Sequence, residues 1–146
     1  ASAPEANSSA LLEQIISEAP PESAAVLRQI IHGDGSAAMI YIYRGPSQGS
    51  RFLISAAGTS IGRAPSNEIF LDDVTVSRAH AKIESISGEF KFTDLGSLNG
   101  SYINGEQRSS HQLRSGDEIQ IGKFHMFFIS AVKVDSAQVS VQPGEK

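Results

Sequence analysis

Three short polar clusters carry the residues best suited to chemistry in this sequence. They are Gly62-Arg63, then Ser77-Arg78-Ala79-His80, then Ser97-Leu98-Asn99-Gly100. Each lies where a run that reads as a β-strand should give way to a loop, and loops at one end of a rigid sheet framework commonly carry binding sites. A guanidinium presents a planar fork of donors matched to phosphate. Serine hydroxyls add donors, and an asparagine amide donates and accepts at once, which suits a bare peptide group. Together these groups have the chemistry needed to hold a phosphate attached to an extended peptide.

Each residue also has an ordinary reading. Arg63 at a strand end is either a solvated charge or a phosphate ligand. Ser77 either caps a turn or donates to an anion. Arg78 is a second phosphate contact, a peptide contact or a surface charge. Asn99-Gly100 and Asn104-Gly105 are both hairpin-turn dipeptides, so only one pair need do more than turn the chain. The alternation Ala79, Ala81, Ile83 sets His80 on the opposite face, with Lys82. No nucleophile and base stand at a recognisable spacing, and His32, His80, His111 and His125 show no metal-ligand pairing. No enzyme, cofactor or metal is therefore expected.

The ordered set GR, SRAH and NG resembles the forkhead-associated (FHA) domain, a phosphothreonine-peptide reader that uses arginine to recognise the phosphate. The longer runs RGPSQGSRF, FLDDVTVSRAHA, DLGSLNGSY and GDEIQIGKF are similar to the actinobacterial glycogen-accumulation regulator and oxoglutarate dehydrogenase inhibitor proteins, over about Ala37 to Ser130. The resemblance implies that Arg63 and Ser77 bind the phosphate, Ser77 through its hydroxyl and backbone N–H. It implies that Asn99 clamps the peptide backbone, and that Leu98 helps choose the residue downstream of the phosphothreonine. Gly62, His80, Gly100 and Asn104 would support the site. Ser101 replaces a common threonine and keeps the hydroxyl. The implied role is a signalling adaptor for phosphothreonine proteins, with Ser/Thr kinases and metabolic enzymes among its partners. The alternative is a phosphate-independent interaction module working through its N-terminal helices.

In those regulators, a threonine in a short N-terminal motif is phosphorylated and folds back into the protein's own FHA site. Glu22-Ser23-Ala24-Ala25-Val26-Leu27-Arg28 has a similar outline, but no threonine occurs before Thr59. Serine lacks the γ-methyl group that such sites recognise, so this segment is not expected to silence the site through phosphothreonine.

The net charge of -4 argues against nucleic acid as partner. The absence of cysteine excludes disulfides and thiol catalysis. No apolar run is long enough to span a bilayer, and no signal-peptide pattern opens the chain. A cytoplasmic protein without membrane partners is the expectation.

The expected fold is all-β, an antiparallel sandwich preceded by a short helical segment. Residues 1–36 read as an N-terminal tail with two amphipathic helices, 37–131 as the FHA domain, and 132–146 as a flexible C-terminal tail. Residues 1–8 read as a disordered lead. Ser9 is expected to cap a helix over 10–19, with Leu11, Leu12, Ile15 and Ile16 on one face. A second helix from Pro21 to about His32 carries Val26, Leu27, Ile30 and Ile31, with Gly33 as a left-handed stop. Helices this short are marginal alone, so their apolar faces must cover the sandwich, a second copy or a partner. Strands are expected at 39–43, 51–54, around Phe90 and Phe92, around Ile119 and Ile121, and at 124–129.

Overall fold

The computed structural model describes residues 3–131, with side chains described from residue 10 onward. The C-terminal tail expected at 132–146 and the first two residues of the expected lead lie outside the described residues.

Eleven strands follow two helices among the described residues. In chain order the strands are β1 (Ala38–Arg44), β2 (Arg51–Leu53), β3 (Thr59–Gly62), β4 (Ile69–Phe70), β5 (Ala81–Ile86) and β6 (Glu89–Asp94). Next come β7 (Ser101–Ile103), β8 (Glu106–Gln107), β9 (Ser110–Leu113), β10 (Glu118–Ile121) and β11 (Phe124–Ser130). They form a six-stranded sheet of order β2-β1-β11-β10-β7-β8 and a five-stranded sheet of order β4-β3-β5-β6-β9. The expected antiparallel pairing holds except at β3 and β4, which run parallel, Ile61 opposite Ile69 and Gly62 opposite Phe70.

Alternation of side chains across each strand explains the core. Ile40 and Ile42 on β1, Ile61 on β3, Ile83 on β5, Phe92 on β6, and Met126 and Phe128 on β11 meet between the sheets. The runs β1 and β11 are apolar on both faces because both are covered. Met39, Tyr41, Phe127 and Ile129 turn outward and pack beneath the helices in a second core.

Those helices are α1 (Ala3–Glu18) and α2 (Pro21–Ile31). Helix α1 starts seven residues earlier than expected, so Ser9 lies within it rather than capping it. Pro4 and Glu5 are residue types that suit a first helical turn, proline because its fixed φ is already helical and glutamate because negative charge is favoured at the positive end of a helix dipole. The expected faces are buried except at one position: Leu12, Ile16 and Leu27 are buried, with Ile15, Val26, Ile30 and Ile31 packed around them, but Leu11 is 38% exposed and lies outside this core. Pro20 precedes α2, and Pro21 is its first residue, where a missing N–H costs nothing. The helix does not end in a left-handed Gly33. His32 closes it at φ −95° with its N–H on Arg28 O, Gly33 N–H reaches Ile30 O, and the left-handed turn falls on Gly35.

Candidate functional site

One end of the sandwich gathers three loops: 63–68 after β3, 71–80 between β4 and β5, and 95–100 between β6 and β7. Backbone bonds join the first two, Arg63 N–H to Ser77 O at 2.9 Å and Ala64 N–H to Arg78 O at 3.2 Å. Gly62 makes this approach possible, because a Cβ there would lie 2.2 Å from Arg78 O. Arg63 Nε donates to Val76 O at 3.0 Å, which fixes the root of the guanidinium and leaves its terminal amines to the rim.

The third loop is tied to the second by two expected site residues. Leu98 N–H donates to Ser77 Oγ at 3.0 Å, and Asn99 Nδ2 donates to Thr75 O at 3.0 Å. Arg63, Ser77, Leu98 and Asn99 are therefore neighbours through direct bonds between their loops. Arg78 sits exposed between them with its carbonyl engaged and no partner for its side chain among the described residues. Leu98 is 89% exposed, extended from a loop whose backbone is held.

His80 lies under the site. It is completely buried. Its Nδ1 accepts the Ser77 N–H at 3.0 Å, so its proton sits on Nε2 and is donated to Gly100 O at 3.0 Å. This corrects two expectations. Strand β5 begins at Ala81, so the alternation does not reach back: Ala79 is exposed and His80 is buried beside Ala81. The Ser77 N–H is committed to the imidazole, which leaves the hydroxyl proton as this residue's free donor.

The two Asn-Gly pairs divide as the residues allowed. Asn104 and Gly105 both take positive φ and turn β7 into β8, a hairpin of the primed kind. Asn104 is pinned to Asp117 and Glu118 and belongs to that hairpin. Asn99-Gly100 is no hairpin, because β6 and β7 lie in different sheets. Gly100 has φ 81°, and a Cβ there would meet Gln107 at 2.5 Å, so the crossover needs glycine.

Two positioning residues were not foreseen. Asn67 Nδ2 donates to Ala64 O and Arg78 O, both at 2.8 Å, and so bridges the loops that carry the two arginines. No local pattern marks it. Asp94 organises the 95–100 loop: Oδ1 accepts the N–H groups of Gly96 and Ser97, and Oδ2 accepts the hydroxyls of Ser97 and Ser101. Burial works to raise its carboxyl pKa, but these bonds outweigh burial and hold it below its ordinary value. The pattern Asp-x-Gly-Ser after a strand is an Asx-turn signal that could have found it.

Nearby acids are similarly satisfied inside their own loops. Glu68 takes the Ser60 N–H and hydroxyl, and Asp73 takes those of Thr75, so both carboxyls are held below their ordinary range by hydrogen bonds. The rim thus offers cationic and neutral donors around Arg63 without a carboxylate paired to either arginine among the described residues. Among the described residues no cluster could hold a metal ion, and no helix is long and apolar enough to cross a membrane.

The family model described as FHA domain matches residues 59–122. The chain is 53% identical over 93 residues to the oxoglutarate dehydrogenase inhibitor of Corynebacterium efficiens, a stretch covering 64% of this chain and 66% of that protein. It is 51% identical over 100 residues to the glycogen accumulation regulator GarA of Mycolicibacterium smegmatis, covering 68% of this chain and 63% of that one. The match thus spans slightly less than two thirds of these two relatives. With the oxoglutarate dehydrogenase inhibitor of Corynebacterium jeikeium, identity is 49% over 100 residues, covering 68% of this chain and 69% of the relative. Among solved structures, Mycobacterium tuberculosis EmbR in complex with a low-affinity phosphopeptide superposes with a TM-score of 0.61 at 33% identity, covering 76% of this chain and 30% of EmbR. With its sandwich, its linked arginine, serine and asparagine loops, and these relatives, the chain belongs to the FHA-domain family.

Proposed function

We propose that this chain is a phosphothreonine-peptide-binding adaptor that acts downstream of Ser/Thr protein kinases and regulates metabolic enzymes. The observation that carries the reading is the cross-linked rim. Arg63 has its root fixed on Val76 O, Ser77 keeps a free hydroxyl proton, and Asn99 keeps its amide oxygen and one N–H for a peptide backbone. In this reading Arg63 and Ser77 take the phosphate, Asn99 the backbone beside it, and Arg78 and Leu98 the flanking residues. Gly62, His80 and Gly100 hold the framework of the rim, and Asn104 supports it only at a distance, through the β7–β8 hairpin. The relatives' names, an inhibitor of oxoglutarate dehydrogenase and a regulator of glycogen accumulation, support metabolic enzymes as the regulated partners. Such partners imply a cytoplasmic location and no need for nucleic acid or membrane.

The recognition unit is residues 37–131. The alternative, docking of a partner on the N-terminal helices, loses support because their apolar faces are spent on the chain's own sheet. Titration calorimetry with a phosphothreonine peptide and its unphosphorylated twin tests the reading. Arg63→Ala should stay folded and lose measurable binding, because it removes a rim charge and no core contact. Wild-type affinity in a folded Arg63→Ala protein overturns the assignment.

A further inference from the structure

We infer that the open edge of β9 is a self-association surface. A second copy of this chain adds its own β9 there, antiparallel, and joins the two five-stranded sheets into one. This association needs no phosphopeptide.

The outermost strands of the two sheets are β2, β8, β4 and β9. On one side β9 pairs with β6, Phe90 opposite Leu113 and Phe92 opposite His111, and Asp94 N–H donates to Ser109 O at 2.8 Å. Hydrogen-bonded and open pairs alternate along an antiparallel ladder. Ser109, His111 and Leu113 therefore bond to β6, while Ser110 and Gln112 direct their N–H and C=O groups away from it. Both residues are exposed, and no strand pairs with that side of β9 among the described residues.

Sheet edges are ordinarily kept from pairing by shortness, by proline or bulges, or by charge. Strands β4 and β8 are two residues long, and β2 is three residues with Arg51 at its start. Strand β9 is the longest of the four edges, Ser110-His111-Gln112-Leu113, without lysine, arginine, carboxylate or proline. It has none of the usual blocks.

Self-complementarity selects a second copy as the occupant. A two-fold axis through His111 sets Ser110 of each chain opposite Gln112 of the other. Each such pair exchanges two N–H···O=C bonds, so both free residues of both edges are satisfied. The cross-strand rows then continue from sheet to sheet without like charges meeting. On the outer face one row runs from Lys91 through Gln112 to the partner's Ser110 and the partner's Thr93. The next row toward the β5–β6 turn sets Glu89 two strand spacings, about 10 Å, from the partner's Arg108. These opposite charges meet twice, once on each side of the axis. Arg108 holds Glu106 through Nη2, which leaves Nε and Nη1 for a second carboxylate. A groove of about 460 Å³ beside β9, lined by Ile86, Glu89, Lys91 and Gln112, has room for that side chain. The one residue that meets its own mate is His111, and each ring has the Asp117 carboxylate on Nε2 at 3.2 Å. Because the joined strands run antiparallel, the two loop rims point in opposite directions. Such a dimer bridges ligands on separate partners rather than clamping two on one.

The seam is short, so the expected dissociation constant is on the order of 0.1 mM. Sedimentation equilibrium of the full chain, from about 10 μM to about 1 mM, should show the weight-average mass rising toward that of two chains. Over the same range, amide hydrogen exchange should slow at Ser110 and Gln112 and stay unchanged at Arg51 and Leu53 on the β2 edge. Gln112→Pro removes an N–H that β6 does not use, so by circular dichroism it should stay folded, and it should remain monomeric throughout. Ser110→Lys keeps the backbone and sets a cation in the row of the partner's Lys91, so it should weaken association about threefold or more. A mass that stays at one chain up to about 1 mM overturns the inference. So does association that survives both substitutions. Exchange at Ser110 and Gln112 that is equally slow at every concentration also overturns it, since the edge would then be covered by its own chain.

Discussion

His80→Ala separates the framework of the site from its ligands. The imidazole is fully buried, yet both its nitrogens are used, one on Ser77 N–H and one on Gly100 O. Alanine removes both partners and leaves a donor and an acceptor beneath the rim. An unsatisfied buried group costs about 1–3 kcal/mol. Ser77 is half-buried and regains part of its bond from water, whereas Gly100 is buried and does not. With the cavity left by the ring, the expected loss is about 3–5 kcal/mol, a large share of the roughly 5–15 kcal/mol that holds a typical domain. Urea denaturation followed by circular dichroism reads it as a lower midpoint at unchanged slope. Where the variant is still folded, phosphopeptide affinity should also fall, because Ser77 and the Leu98-Asn99 backbone are no longer held in register. A midpoint shift worth less than about 0.5 kcal/mol, with wild-type affinity, refutes the view that this ring ties the loops together.

Three further outcomes follow from named contacts. Asp94 has a folded-state pKa below its ordinary value of 3.8, so its contribution to stability is present above that value and is lost as pH falls through the lower folded value. Asp94→Asn should therefore flatten the acid limb of the stability–pH curve below about pH 4, and an unchanged limb would contradict the assignment. Leu27→Ala, at a fully buried position under α2, should cost about 2–5 kcal/mol in urea denaturation and leave phosphopeptide affinity unchanged, because the second core lies behind the sheet. Paired peptides differing only in phosphothreonine or phosphoserine carry the same charge, so selectivity rests on one methyl group. Burying it is worth about 0.8 kcal/mol, or roughly fourfold, and equal affinities would argue against an FHA-type pocket.

What the sequence reveals of this molecule follows from how local each signal is. Gly62-Arg63, Ser77 and Asn99 were legible because spacing places each at a strand end, and those strand ends converge. The apolar faces of α1 and α2 were legible from helical spacing, but their destination was not. It depends on Met39, Tyr41, Phe127 and Ile129 facing outward, and β1 and β11 read only as uniformly apolar. The burial of His80 and the loss of the Ser77 N–H both hinge on where β5 starts. One residue of shift reverses every face assignment in a strand. Asn67 was invisible because its partners are backbone carbonyls on two loops, one of them eleven residues away. The parallel β3–β4 pair was likewise hidden, since two-residue strands carry no period.

The N-terminal hairpin bears on how the site is controlled. The segment Glu22 to Arg28 has the outline of a regulatory phosphorylation motif, but here it forms most of α2. Ser23, its one hydroxyl, is 7% exposed and Leu27 is wholly buried against the outer sheet face. A kinase could modify Ser23 only after α2 leaves that face, which would uncover Met39, Tyr41, Phe127 and Ile129 together. Returning Ser23 to the rim would also draw on the short 32–37 connection, whose few extended residues reach about 20 Å at most. The chemistry that would make such a visit worthwhile is missing as well, because serine lacks the methyl group that favours phosphothreonine. The same residues that would form a switch are therefore committed to covering the sheet.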